Sequence, residues 1–237
     1  MSPAQQRSYR ELSPRFSVLF DSSGRILDYR ALFGNSNPVT VEIGFGMGIA
    51  TAEIAQANPG QNYLGLEVYR PGIGRLLWET GRRCLTNIRI IEHDAVETLE
   101  KMIGERSLAA FHIFFPDPWP KKRHHKRRLV TRLFTDLLAR KLREGGYVYM
   151  VTDWEDYARR ALAELSATPL LFNPYAGPNE GSAGESGGFA EGLDGGFDGG
   201  FAPRQPWRPQ TSFEAKGIAG RRRVWELFFE KKSGERP

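Results

Sequence analysis

From Val39 onward, short apolar and β-branched runs alternate with helix-like runs, and this alternation restricts the fold more than any other feature. VTVEI (39–43) ends in the glycine cluster GFGMG, and IATAEIAQAN follows as a helix up to Pro59-Gly60. NYLGLEV (62–68) and IGRLLWETGRRC (73–84) read as a second strand and helix, IRIIEH (88–93) and AVETLEKMI (95–103) as a third pair. AAFHIFF (109–115) is an apolar fourth strand that runs into PDPWP. Its helix, VTRLFTDLLARKL (130–142), is expected to place Leu133, Leu137 and Leu138 on one face. Gly145-Gly146 turns the chain into YVYMV (147–151), WEDYARRALAEL (154–165) is helical, and VWELFFE (224–230) reads as a closing strand. Apolar strands each followed by a helix require a parallel sheet covered on both faces. The expected fold is therefore α/β and doubly wound, with ligands at the carboxyl ends of the strands.

Two segments break the pattern. Residues 1–38 are polar and punctuated by proline, and read as an arm or loosely attached leader; a single domain is expected over 39–237. Residues 176–209 are rich in glycine and are expected to form a flexible insertion. The bulk composition narrows the class. Lys+Arg 33 against Asp+Glu 28 gives a net charge of +5, a mild lean toward an anionic partner. The single Cys84 excludes an internal disulfide framework and a cysteine-rich zinc site. No run is apolar enough for a membrane span, and the N-terminus has no apolar signal-peptide core, so a cytoplasmic location with no membrane partner is expected.

The strand ends carry the chemistry. Gly44, Gly46 and Gly48 allow a tight turn whose backbone amides approach a ligand closely. Glu67, about 20 residues on, ends the second strand where a carboxylate can accept ribose hydroxyls. Asp94, after the third strand, can accept from an adenine amino group. This much suits either NAD or S-adenosylmethionine. The G-x-G-x-G spacing and Glu42 at the loop entrance favour the second, because a carboxylate repels a pyrophosphate and attracts a sulfonium or ammonium.

After the fourth strand, three prolines stiffen Phe115-Pro116-Asp117-Pro118-Trp119-Pro120. Asp117 there can accept from the N1–H and amino edge of guanine, and Trp119 can stack on a base. The run Lys121-Lys122-Arg123-His124-His125-Lys126-Arg127-Arg128 adjoins that loop, so phosphate contact is expected from Lys121, Arg123, Lys126, Arg127 and Arg128. Adjacent histidines without a cysteine or acid cluster make poor zinc geometry, so no metal is expected. Asp153, after the fifth strand, either caps the next helix or binds the acceptor base. Thr211, Ser212, Phe213 and Glu214 have capping-box spacing with little helix behind them, which favours a functional turn.

With these residues in view, the chain resembles bacterial tRNA (guanine-N7)-methyltransferases. The resemblance is carried by VEIGFGMG, YLGLEV, HDAVE, FFPDPWPKKRHHKRRLV, TDWEDYA, TSFEAKG and GRRRVWELFFE, in family order from residue 41 to 230. It implies a Rossmann-like class I methyltransferase fold, a mostly parallel sheet with an antiparallel C-terminal strand. It implies S-adenosylmethionine as cofactor, tRNA as partner, guanine 46 of the variable loop as target, and action as a monomer or weak homodimer. By the same resemblance Glu42, Glu67, Asp94 and Asp117 are donor-binding positions, and Asp117 is the catalytic residue. Lys121, Asp153 and Thr211 to Glu214 correspond to substrate-binding positions. The competing readings are a dehydrogenase, which leaves Glu42 and the basic loop unexplained, a methyltransferase for another nucleobase atom, and a non-catalytic RNA-binding module. The acid series Glu42, Glu67, Asp94 argues against the last.

Overall fold

Val39–Ile43 (β2) is buried at every position and takes parallel partners on both sides, Asn62–Glu67 (β3) and Leu108–Phe114 (β5). Both faces of the run are covered, the Val39-Val41-Ile43 face and the Thr40-Glu42 face alike, as in a central strand of a parallel sheet. The computed structural model describes residues 1–177, 199–211, 214–215, 220 and 222–233. Around β2 lie Ser17–Val18 (β1), Ile88–Glu92 (β4), Leu142–Thr152 (β6), Leu171–Phe172 (β7) and Trp225–Lys231 (β8). The strand order is β1-β4-β3-β2-β5-β6-β8-β7. The first six strands in that order pair in parallel, and β8 runs antiparallel to both β6 and β7. The mostly parallel sheet with an antiparallel C-terminal strand is thus present.

The helices are Pro3–Phe16 (α1), Tyr29–Phe33 (α2), Ile49–Ala57 (α3), Arg70–Arg82 (α4), Ala95–Met102 (α5), Arg132–Lys141 (α6) and Glu155–Ser166 (α7). One core joins Phe16, Ala52, Ile54, Ile73, Leu76 and Leu77 of α1, α3 and α4. The other joins Leu99, Phe134, Leu137, Leu138, Ala158 and Ala161 of α5, α6 and α7. The chain winds outward from β2 through β3 and β4, then returns to β5 on the other side of β2. The crevice between β2 and β5 is the switch point where such sheets take ligands.

Three expectations change. On α6 the buried face is Phe134, Leu137 and Leu138, while Leu133 is 84% exposed. The buried stripe is centred between Phe134, Leu137 and Leu138, and Leu133, about a quarter turn from that centre, falls at its solvent edge although it is four residues from Leu137. The leader is not loose. Ser2 and Gln5 form a capping box that starts α1, and Phe16 is buried. Leu12 and Gln5 pack against Gly81 and Gly74 of α4, whose missing side chains leave room for α1. Tyr9 also donates to Glu92, tying the helix to the end of β4. Finally, residues 199–209, expected within the flexible insertion, include a packed segment. Phe201 is buried with its ring 4.7 Å from that of Trp225, and the Ala202 amide donates to the Glu226 carbonyl at 2.8 Å. Residues 178–198 lie outside the described residues.

Candidate active site

The turn after β2 is set by backbone conformation. Gly44, Gly46 and Gly48 have φ of 69°, 57° and 66°, the left-handed region where a side chain costs about 1 kcal/mol or more. Gly72 on α4 was not legible as a site residue. A Cβ there would lie 1.9 Å from the Gly46 carbonyl oxygen, so only glycine lets α4 support the loop this closely. Glu67 completes the support. Its Oε2 accepts from the Gly46 amide at 2.8 Å, and its Oε1 from Val68 and Tyr69 amides at 2.8 and 3.0 Å. Oε1 is thereby saturated, while Oε2 keeps a lone pair that a hydroxyl could use.

Glu42 lies one residue before the end of β2, beside Gly65 on β3 and His112 on β5. It is 2% exposed, and its Oε2 has no hydrogen-bond partner among the described residues. Burial raises its pKa to about 7, with the nearby Glu67 charge adding to the effect. An unpartnered buried carboxyl oxygen is costly unless a cation reaches it. It faces a cavity of about 510 Å³ bounded on one side by the glycine turn and Glu53. Phe114, Phe115, Gln210 and Thr211 bound the other side.

From Phe115 the chain enters the proline loop. Phe115 and Trp119 have φ of 50° and 43° at either end of Pro116-Asp117-Pro118, and such non-glycine strain gathers at functional sites. Asp117 between them is exposed. Trp119 carries the Arg127 guanidinium 4.9 Å from its ring centroid, so one face is already occupied. The basic run forms a 3-10 turn, Lys122–Arg127, in which Lys121, Arg123, Lys126 and Arg127 are exposed. Arg128 is different. It is buried, donating to the Pro118 carbonyl at 2.8 Å and to Asp156 at 2.6 Å, so it anchors the loop and is spent inward. Of the five residues expected to contact phosphate, the other four are the exposed ones. Lys121→Ala is expected to lower the salt dependence of RNA affinity by about one unit of log K per log salt. An unchanged slope in a salt titration contradicts this role.

Asp94 caps α5, its Oδ1 accepting from the Glu97 amide at 3.0 Å, and it stays exposed with Oδ2 available. Asp153 caps nothing: the residue flanking α7 is Trp154, without a side-chain cap. Instead the Asp153 side chain, 9% exposed, accepts from Arg222 at 2.8 Å. Thr211 lines the cavity, and its Oγ1 accepts from the Glu214 amide at 3.0 Å. Glu214 is turned inward to Arg204 and Arg208, partners that sequence reading missed. Ser212 and Phe213 lie outside the described residues.

The fold, the glycine turn and the buried, unpartnered Glu42 suit a methyltransferase, and the comparisons assign that class. A family model described as "Putative methyltransferase" matches residues 36–176. The solved 16S rRNA methyltransferase KamB superposes with a TM-score of 0.57 at 13% identity, over 88% of this chain and 95% of that one. The antibiotic-resistance methyltransferase Kmr gives 0.53 at 14% identity, over 92% and 96%. A tRNA (guanine-N(7)-)-methyltransferase of Nitrosospira multiformis is 43% identical over 99% of this chain and 91% of its own length. One of Treponema pallidum subsp. pallidum is 44% identical over 98% of this chain and 92% of its own. The chain belongs to the tRNA (guanine-N(7)-)-methyltransferase family.

Proposed function

We propose that the chain transfers a methyl group from S-adenosylmethionine to N7 of guanine 46 in the tRNA variable loop. One observation carries the reading. Phe115 lines the cavity of Glu42 and the glycine turn, and six residues later the chain presents the exposed Lys121 and its basic turn. A donor cavity thus leads directly into a phosphate-binding surface.

The residues present suit the donor. Glu42 offers an unpartnered oxygen to a cationic group, and the glycine turn offers backbone approach. Glu67 and Asp94 keep lone pairs for ribose and adenine. S-adenosylmethionine supplies, when bound, a methyl group activated by a sulfonium. Guanine N7 has a free lone pair and no proton, so no side chain has to act as a base before attack. The chain's work is orientation and charge. Asp117 accepts from the N1–H and amino edge of the base, and its charge opposes the positive charge that develops on the ring. The strained, proline-locked loop holds that carboxylate in place. Asp153, held by Arg222, and Thr211 in the cavity wall serve as further contacts to the acceptor. The substrate is a soluble RNA, and no described helix is long and apolar enough to cross a membrane, which suits a cytoplasmic site of action.

The test is product analysis. Purified protein, S-adenosylmethionine and unmodified tRNA should yield 7-methylguanosine after nuclease digestion and mass spectrometry. N6-methyladenosine or N2-methylguanosine as the sole product contradicts the assignment.

A further inference from the structure

Glu214 is matched to the substrate by its motif, yet neither carboxylate oxygen is open to one. Oε2 accepts from Arg208 Nη1 at 2.6 Å. Oε1 accepts from Arg208 Nη2 at 2.8 Å and from Arg204 Nη1 at 2.5 Å. The side chain is 2% exposed, and the Arg208 side chain is 0% exposed. Burial alone would push the Glu214 carboxyl up, but the two guanidiniums outweigh it and hold it below the usual carboxylate range.

Arg208 reaches further. Its Nη2 also donates to Glu226 Oε1 of β8 at 2.8 Å, and its Nε to the Tyr149 hydroxyl of β6 at 3.1 Å. Its Cζ is 6.0 Å from the Phe115 ring, at the mouth of the proline loop. The neighbouring Trp207 stacks on His112 of β5 at 4.9 Å, a second anchor for the same strap. A buried ion pair adds little net stability over an apolar pair of the same volume, but a forked, fully hydrogen-bonded one admits a single geometry. That geometry is passed on. Glu214 fixes Thr211 through the bond from its amide to Thr211 Oγ1, and Thr211 stands in the cavity wall beside Phe115.

We propose that Arg208 is a positioning residue for the methyl transfer: through Glu214 it holds Thr211 in the cavity wall that continues into the Asp117 loop. Glu214 then serves the acceptor through this hold, with no direct contact of its own. The inference rests on the tRNA methyltransferase reading above.

The experiment compares wild type, Arg208→Lys, Thr211→Ala and the double variant. It measures kcat and KM for tRNA, donor affinity by calorimetry without tRNA, and thermal stability. Lysine keeps the charge and loses the fork. Arg208→Lys is expected to raise KM for tRNA about tenfold with donor Kd changed less than about threefold. The double variant is expected to be no worse than the poorer single, because both substitutions break one device. Multiplying effects in the double variant, an unchanged KM, or an equal loss of donor affinity each overturn the inference. If Arg208→Lys fails to fold, Glu226→Gln removes one anchor and carries the same cycle with Thr211→Ala. A wild-type protein that leaves tRNA unmethylated overturns the functional reading itself. A wild-type protein that methylates tRNA while the cycle multiplies overturns the role of Arg208 alone.

Discussion

Asp117→Asn lowers the single-turnover methylation rate about 10²- to 10³-fold while donor affinity changes less than about threefold. The magnitude is that of removing one preorganised charge from a developing opposite charge. Asparagine keeps the shape of the side chain and the strained loop between Phe115 and Trp119. What it loses is the negative charge that, in the proposed reaction, faces the purine as its N7 is methylated and the ring becomes cationic, and one of the two acceptors for the base edge. In the proposed function donor binding rests on Glu42, the glycine turn and Glu67, and Asp117 serves the acceptor, although the resemblance also places it among the donor positions. Calorimetry with S-adenosylmethionine should therefore barely register the change. Equal losses in rate and donor affinity would reassign Asp117 from the acceptor to the donor. A rate within a fewfold of wild type would remove it from the chemistry.

Glu42→Gln separates stability from binding in opposite directions. The folded chain holds Glu42 protonated up to about pH 7, whereas the unfolded chain releases that proton near its ordinary value of 4.5. Between those two values the native state binds more protons than the unfolded state, so stability falls as pH rises. The loss is complete above about pH 7 and amounts to roughly 3 kcal/mol, at about 1.4 kcal/mol per pH unit. Glutamine is neutral throughout. Without donor, the variant should match wild type near pH 4 and unfold at higher denaturant than wild type at pH 8. Its donor affinity should nevertheless fall about a hundredfold at pH 8, where the wild-type carboxylate is ionised and meets a cation. Denaturant melts at the two pH values and calorimetry check both halves. A variant less stable than wild type at pH 8 contradicts the buried, unpartnered acid. An unchanged donor affinity removes Glu42 from the cation contact.

Most of the sheet could be read from the residues because its strands announce themselves. VTVEI and IRIIE are apolar or β-branched runs bounded by turn residues, and their boundaries agree with β2 and β4 to within one residue. The acids at the strand ends were legible for the same reason: once a strand is placed, the position after it is placed too. What escaped depends on partners far along the chain. Arg208 sits in Pro206-Trp207-Arg208-Pro209, a stretch that reads as loop. Its burial follows from Tyr149 and Glu226, which are 59 and 18 residues away. Arg128 ends a basic run and looks like its neighbours, but its side chain reaches Asp156 on α7. Gly72, Gly74 and Gly81 on α4 carry no signal in the local sequence, yet they make room for the Gly46 carbonyl and for α1. Leu133 shows the limit of counting apolar residues: the periodicity was real, and Phe134 belonged in the set in its place.

The central claim is tested most directly by a pair of tRNA transcripts, one with guanine and one with adenine at position 46 of the variable loop. Each is incubated with the protein and methyl-labelled S-adenosylmethionine. The account predicts label on the guanine transcript alone, recovered as 7-methylguanosine. Equal label on both transcripts, or label recovered as any other nucleoside, contradicts it.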